Sequence, residues 1–586
     1  EYKILVANLY RRLKNDKTKA LQILETLSKE RDNIKATYAL IDIYNNANQI
    51  DKVKELLREE INKRPDFNFL RTAYIDILID ENNYKEALEL VDINLEYFPY
   101  SFENFEKKAA IYSLMNNRKE AEKYYKKALS HYSSNSSLRK KLYDLTNTPD
   151  EITEVETKDV YAFIKKNRNT TLKGDYGITI LLDEFIVNIL PEGGRKSKSK
   201  LVYEITSESG IENLKEYGLD SYGINLTKSE IIKKNGSIVP GEVGSGTIVF
   251  SNLEIGDVIY VEYDFISNSY GRFYKDFNID YVVNGSYPIV ESNFYIIHAP
   301  GLKFNTVVKN GDLKMVEKKV NDKIVKQWTQ RNLSAMPVHE SYSPNFDDLT
   351  FEIYAGTIPA WKDIANWYAD LVKKNKKVDK TTLAVFNEIF PTGISGLTET
   401  QRAEKIYDYI QENITYSYLD FRQSGYVPQK PSKTLESKLG DCKDLSTLFV
   451  TLAEKADLKS NLVLVLTNDN GLKALPLPSS EFNHCIVKVT LENKDYFIEM
   501  TDKYLPFKSM PISLYKANAL VIEFDKAKNE EAKLIHLNFD NSLTNVKKSV
   551  VEIDITEEKK NFKINHDYSG YLKAYYNELF SNAISE

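Results

Sequence analysis

The strongest constraint on the fold is an internal period of 34 residues near the start of the chain. Four columns of this repeat are in phase: Tyr44, Leu78 and Tyr112; Val53, Ala87 and Ala121; Leu57, Val91 and Tyr125; and Pro65, Pro99 and Ser133. Small residues at Ala87 and Ala121 let two helices approach closely, and the proline ends the second helix of a unit. The period therefore predicts stacked helix–turn–helix units. Tyr10, 34 residues before Tyr44, places a degenerate first unit near residue 1.

The segments NNYKEALELVDINLEYFP and NNRKEAEKYYKKALSHYS occupy equivalent positions in this period. They resemble the tetratricopeptide repeat, which implies an all-α repeat solenoid over residues 1–148, ending at the polar stretch 147–150. Such a solenoid either presents a concave surface to a protein or peptide segment or acts as a scaffold for the next domain. The sequence leaves both interpretations open, and it leaves the oligomeric state open as well.

Length and charge narrow the classes of function. A chain of 586 residues is too long for one core, so we expect three or four domains. The formal net charge is −6 without a long basic run, so we do not expect nucleic acid as a partner. No apolar stretch approaches the ~20 residues that span a bilayer. The chain begins with Glu1 and not Met, which we interpret as removal of an upstream segment such as an export signal.

The middle of the chain, residues 158–345, changes from helical to alternating periodicity. Strand-like segments rich in β-branched and aromatic residues are separated by hairpin turns such as Asn235-Gly236 and Asn310-Gly311. Many short strands with few helical signals predict a β-sandwich. His298 and His339 have no Cys or His neighbour at the spacing of metal ligands, so we expect each to be a packed or surface histidine.

A buried helix begins at one of the two cysteines. After Cys442, the residues Leu445, Leu448, Phe449 and Leu452 recur at helical spacing. Asp441 is a natural N-cap, so Cys442 lies in the first turn. The partial positive charge and unpaired N–H groups of a helix N-terminus favour a thiolate there. A second helix, QRAEKIYDYIQEN at 401–413, places Ile406, Tyr409 and Ile410 on one face, with Thr398 and Gln401 as a capping box.

A base for this thiol is found further along the chain. The segment EFNHCIVKVTLENKDYFIEMTDKYLPF is typical of two strands with a turn at 492–495. A two- or four-residue loop places His484 and Glu499 on one face and Asp502 on the other, and a three-residue loop reverses this. Cysteine, histidine and carboxylate in this order suit an activated nucleophile. Cys485 should point away from the site, which argues against a disulfide with Cys442 and against a zinc site.

Three segments, GDCKDLSTLFVTLAEKADLKSNLVLVL, FNHCIVKV and the stretch around DYFIEMTDKYLP, resemble the motifs of the transglutaminase-like superfamily in the family's order. The resemblance covers about residues 400–510 and implies an α+β, papain-like domain over 346–525. It implies Cys442 as nucleophile and His484 as general base and acid, with no cofactor and no metal. The family's third motif has Asp two residues before Thr, where this chain has Glu499, so we assign Glu499 and keep Asp502 as the alternative.

The neighbouring segments agree with that resemblance. NLEIGDVIYVEYDF and RNLSAMPVHESYSPNFDDL resemble the β-domain of unknown function that often precedes bacterial transglutaminase-like domains. The resemblance implies a bacterial cell envelope, periplasmic or membrane-anchored. Alternating residues near the end of the chain predict the start of a small β-domain over 530–586, in which His536 and His566 belong to no recognisable site. The predicted fold is therefore multidomain α+β: repeat solenoid, β-sandwich, thiol domain and a short β-rich segment.

Two functions fit these expectations. In the first, Cys442 attacks a peptide or carboxamide carbonyl, and the thioester passes to water or to an amine, giving a hydrolase or an acyl transferase. In the second, the thiol domain is a catalytically degenerate scaffold, and the chain is a protein-binding or complex-assembly module of the cell envelope. Side chains that block the approach to Cys442 would favour the second function.

Overall fold

The structure is a computed structural model that describes residues 2–13, 16–31, 33–172, 176–219, 223–268, 271–337, 343–417, 425–538 and 546–582. The chain forms two compact units. The first contains residues 1–158 together with 187–197 and 265–268, and the second contains 159–186, 198–264 and 269–586. Within the described ranges, no helix is both long and apolar enough to cross a membrane.

The first unit is built from helical hairpins. Its helices are α1 Tyr2–Leu13, α2 Lys17–Arg31, α3 Ile34–Asn46, α4 Ile50–Lys63, α5 Asn68–Asp80, α6 Tyr84–Tyr97, α7 Phe102–Leu114, α8 Arg118–His131 and α9 Ser136–Thr146. The repeat column that contains the small residues is fully buried, since Val53, Ala87 and Ala121 are each 0% exposed. The tetratricopeptide-type solenoid predicted from the 34-residue period is confirmed.

The turns inside these hairpins repeat with the same period. Asn48, Asn82 and Asn116 have positive φ angles of 55°, 58° and 59° and lie 34 residues apart. Each follows the first helix of its hairpin, where the chain must adopt a left-handed conformation that Asn tolerates better than most residues. The first unit also contains the tip of a β-hairpin at 187–197, whose Glu192 forms an ion pair with Arg139 of α9 at 3.1 Å.

The second unit begins with a β-rich region. Its elements are α10 Val160–Asn167, β1 Ile178–Ile189, β2 Arg195–Ile205, α11 Glu208–Leu214, β3 Glu216–Gly218, β4 Asn225–Ile232, β5 Ile238–Pro240, β6 Glu242–Val243, β7 Thr247–Val249, β8 Val258–Ser267, β9 Asn278–Val282, β10 Ile289–His298, β11 Asn305–Lys309, β12 Val316–Val320, β13 Lys323–Leu333, α12 Phe346–Leu349 and β14 Glu352–Gly356.

These strands form a large sheet with smaller sheets packed on it. Eight strands lie in the order β12-β13-β10-β1-β2-β8-β4-β5, and the two three-stranded sheets are β11-β14-β9 and β3-β7-β6. Tyr281 of β9 stacks on Phe294 of β10 with ring centroids 4.9 Å apart, so the aromatic core lies between two sheets. The predicted β-sandwich is confirmed. His298 is buried, and burial lowers its pKa, whereas His339 lies outside the described residues.

The third region surrounds the predicted thiol helix. Its elements are α13 Trp361–Lys373, α14 Lys380–Ile389, α15 Glu399–Asn413, β15 Thr415–Tyr416, α16 Pro431–Ser437, β16 Leu439–Gly440, α17 Cys442–Lys455, β17 Lys459–Leu466, β18 His484–Leu491, β19 Lys494–Ile498, β20 Asn518–Ile522 and β21 Ile535–His536. One five-stranded sheet, ordered β19-β18-β17-β20-β21, carries α17 on one face. The Thr398–Gln401 capping box starts α15, in which Tyr407 is buried and Tyr409 only partly so.

The last described elements are β22 Lys547–Ile555, β23 Lys560–Tyr568 and α18 Tyr571–Asn582. The two strands pair as the alternating sequence predicts, and α18 is a helix that the sequence did not predict. The predicted domain boundaries stay proposals, with two adjustments. We place the end of the β-domain near residue 357, because β14 pairs with β9 and β11. We place the end of the thiol domain near residue 538, because β21 pairs with β20.

Candidate functional site

Cys442 is the first residue of α17, and its thiol is partly exposed. Asp441 caps the helix, because its side chain accepts a hydrogen bond from the Asp444 N–H at 3.2 Å. The Asp444 side chain in turn accepts a hydrogen bond from the Asp441 N–H at 3.3 Å. The N–H of Gln429 also donates to Asp444, at 2.7 Å. A reciprocal capping box of this kind holds the first turn, so Cys442 has a rigid support. The sequence predicts Asp441 as the N-cap. The partner role of Asp444 was not predicted, although an acidic residue three positions after the N-cap is typical of a capping box.

A tight hairpin brings the predicted base and its carboxylate together. Leu491 pairs with Lys494, so only Glu492 and Asn493 connect β18 to β19, and both have positive φ angles, 45° and 66°. Such a two-residue turn matches the twist of the strands. It is one of the loop lengths for which the sequence places His484 and Glu499 on one face. His484 Nε2 lies 2.7 Å from Glu499 Oε2.

The histidine also interacts with the thiol, since Cys442 is among the groups that raise the pKa of His484. Because Nε2 already faces Glu499, Nδ1 is the ring nitrogen left for the sulfur. Burial disfavours the charged ring, but the Glu499 carboxylate and the hydrogen bonds to Cys442 and Glu499 outweigh it and raise the pKa of His484 to about 10. At neutral pH the site therefore favours an imidazolium next to the Glu499 carboxylate.

Glu499 is held in place by its own neighbours. Its side chain is only 2% exposed, and its Oε1 accepts hydrogen bonds from the backbone N–H and the hydroxyl of Thr501, each at 2.7 Å. Burial alone would raise the pKa of Glu499, yet the charge of His484 and the hydrogen bonds from His484 and Thr501 lower it. One oxygen is thus fixed by Thr501 while the other faces the imidazole ring.

Asp502 lies in a different environment. Its carboxylate accepts a hydrogen bond from the backbone N–H of Tyr504 at 2.9 Å, and burial raises its pKa. The carboxylate that contacts His484 is Glu499, so the geometry favours Glu499 over Asp502 as the group that orients the histidine.

Cys485 is a buried free thiol, 2% exposed. Its side chain lies in the core beneath α17, and its backbone carbonyl accepts a hydrogen bond from the Ser446 hydroxyl at 3.0 Å. Burial raises the pKa of Cys485 well above its ordinary value, and charge on Cys442 adds to that rise. The sequence predicts that Cys485 points away from the site, and the structure places its side chain in the buried core as a free thiol. Among the described residues no cluster of three or more His, Cys, Asp or Glu side chains could hold a metal ion.

Comparison with known proteins identifies the family of this region. Residues 392–500 match the model of the transglutaminase-like superfamily. A search of curated proteins finds no match. Among solved structures, a protein of Parabacteroides distasonis that is provisionally named a protease is 17% identical, with a TM-score of 0.44 and coverage of 62% of this chain and 72% of its own.

Two further structures resemble part of the chain. MamA of Desulfovibrio magneticus RS-1 is 15% identical with a TM-score of 0.21, covering 24% of this chain and 84% of its own. The first tetratricopeptide domain of Spaghetti (RPAP3), bound to an HSP90 peptide, is 13% identical with a TM-score of 0.18, covering 19% and 88%. All three TM-scores lie below 0.5, so the description of the fold rests on the chain's own elements.

Proposed function

We propose that the transglutaminase-like domain at residues 392–500 carries out thiol-dependent acyl chemistry on peptide or carboxamide substrates. The observation that carries the proposal is the 2.7 Å contact between His484 Nε2 and Glu499 Oε2, together with Cys442 at the first position of α17, whose thiol raises the pKa of that histidine. A thiol at a helix N-terminus, a histidine in contact with it and a carboxylate behind the histidine are the parts that an activated cysteine requires. Cys442 is also partly exposed and not sealed in the core, as a residue that reacts with a substrate must be.

The reaction follows from these contacts. The Cys442 thiolate attacks the carbonyl carbon of an amide, forming a C–S bond and a tetrahedral oxyanion. The oxyanion collapses, the C–N bond breaks, and His484 gives its proton to the departing amine. The product is a thioester on Cys442. Water, or a second amine, then attacks the thioester and gives its proton to His484. The C–S bond breaks, the acyl group leaves as an acid or an amide, and the thiolate–imidazolium pair is restored.

The test compares wild-type protein with Cys442→Ser on a panel of peptides and glutamine-containing carboxamides. Release of amine or ammonia is measured with and without an added primary amine, which separates hydrolysis from transfer. Wild-type turnover that Cys442→Ser lowers by orders of magnitude, and that Cys485→Ser retains, supports the proposal. The proposal fails if Cys442 reacts with iodoacetamide no faster than a free cysteine and with no dependence on His484. The scaffold interpretation then takes its place.

We further propose that the solenoid binds a protein or peptide segment, because repeat stacks of this kind build extended concave surfaces. The proposed location in a bacterial cell envelope rests on the resemblance stated above, and fractionation of the source cells tests it. Recovery of the protein in the cytoplasmic fraction would contradict that location.

A further inference from the structure

A group of aromatic side chains lies beside the segment that leads into His484. Trp361 and Trp367 come from α13, Tyr426 from the segment before α16, and Phe482 from the residues just before β18. We call these four residues the aromatic wall. Phe482 and Trp361 have ring centroids 6.1 Å apart, and those of Trp367 and Tyr426 are 5.1 Å apart. The wall is therefore made of two ring pairs contributed by three separate parts of the chain.

The wall is continuous with the proposed active site. Phe482 precedes His484 by two residues, and the hydroxyl of Tyr426 donates a hydrogen bond to the Ser480 carbonyl at 3.3 Å. Trp361, Trp367 and Phe482 pack on the same buried core that supports Cys442. The rings thus flank the segment that carries the proposed base.

The wall is not a closed core. Trp361, Trp367 and Phe482 are each only partly buried, and Tyr426 is 39% exposed. A core that served stability alone would bury such large rings more completely, because their apolar area is the main source of stabilisation. Rings that remain partly in water beside the segment leading into His484 offer apolar surface to a bound molecule. Tyr and Trp are well suited to this, since they are rigid and keep a polar atom for solvent.

We propose that the aromatic wall is the acyl-side specificity site, which accepts a large apolar or aromatic side chain next to the carbonyl that Cys442 attacks. This inference rests on the proposed function and names its substrate class: peptides with Phe, Tyr, Leu or a similar residue at that position. Such a side chain buries its own apolar surface and that of the rings, so it should bind more tightly than alanine, which has less apolar surface. Aspartate should bind least well, because its charge would have to lose water.

The test uses three covalent probes that differ in one side chain: acetyl-Gly-Phe, acetyl-Gly-Ala and acetyl-Gly-Asp chloromethyl ketones. The rate of Cys442 labelling is measured by mass spectrometry, with iodoacetamide as a probe that has no side chain to recognise. We expect the Phe probe to label wild-type protein about tenfold faster than the Ala probe, or more, and the Asp probe to be slowest.

Variants locate this preference. Trp367→Ala and Phe482→Ala should remove most of the preference for Phe over Ala while iodoacetamide labelling stays at the wild-type rate. Trp367→Phe should retain part of the preference, and Phe69→Ala, which removes an exposed ring from the repeats, should leave it unchanged. Fast iodoacetamide labelling without a side-chain preference in wild-type protein overturns the inference and leaves the proposed function standing. Slow labelling by iodoacetamide overturns both.

Discussion

Replacing Glu499 by glutamine should slow the alkylation of Cys442 by iodoacetamide at mildly acidic pH. The substitution keeps an oxygen at the position 2.7 Å from His484 Nε2 but removes the negative charge. The pKa of His484 should then fall, because a charge that favours the imidazolium is gone. The rise from 6.5 to about 10 corresponds to about 5 kcal/mol. The charge of Glu499 is the largest of the causes that raise this pKa, so its removal should lower the population of the thiolate–imidazolium pair by roughly tenfold or more.

The assay measures the alkylation rate of Cys442 from pH 4 to pH 9 by mass spectrometry of the labelled peptide. Cys485 is an internal control in every sample, because it is buried and its raised pKa keeps it a thiol. Asp502→Asn is the matched control variant, since asparagine can still accept the hydrogen bond from Tyr504 and Asp502 does not orient His484 in this site. A rate in Glu499→Gln that equals the wild-type rate at pH 6 would refute the electrostatic argument. So would an equal loss in Asp502→Asn.

Three further outcomes are expected. The stability advantage of wild-type protein over His484→Gln, measured by urea unfolding, should shrink by about 2 kcal/mol or more from pH 6 to pH 10. A histidine whose pKa is raised on folding contributes its full stabilisation below its unfolded pKa of 6.5, and this stabilisation is lost as the pH rises towards about 10. The same stability difference between the two proteins at pH 6 and pH 10 would contradict this prediction. Asp441→Ala should cost about 1 kcal/mol in the same assay, and Asp441→Asn much less, because only alanine removes the cap of α17. Ala87→Leu should cost about 1–3 kcal/mol at its fully buried position, while Glu89→Leu on the exposed side of α6 should change stability by less than about 0.5 kcal/mol.

Local periodicity explains why much of this structure could be predicted. The 34-residue period fixes which residues of each hairpin are buried, and Ala87 and Ala121 are completely so. The helical spacing after Cys442 predicts α17 within a residue of its observed start, because Asp441 is a strong capping residue. In both cases neighbours within one or two helical turns determine the structure, and the sequence shows those neighbours directly.

The remaining features depend on contacts that are distant in sequence or on a single turn. β14 pairs with β9 across about 70 residues, so the end of the β-domain cannot be read from local pattern. The choice between Glu499 and Asp502 depends on the parity of one turn, and one added residue would reverse it. That turn contains Glu492 and Asn493 in the left-handed region without a glycine, so the usual signal for a two-residue hairpin is weak.

The glutamate at position 499 stands where the resemblance implies an aspartate, and its contacts give the longer side chain a physical basis. A carboxylate that orients a histidine must itself be held, and Thr501 holds one Glu499 oxygen through two hydrogen bonds of 2.7 Å. The extra methylene lets the second oxygen reach His484, whereas aspartate on the same backbone would end roughly 1.3 Å short. On this argument Glu499→Asp should impair the site although it restores the family residue, because it keeps the charge and loses the reach.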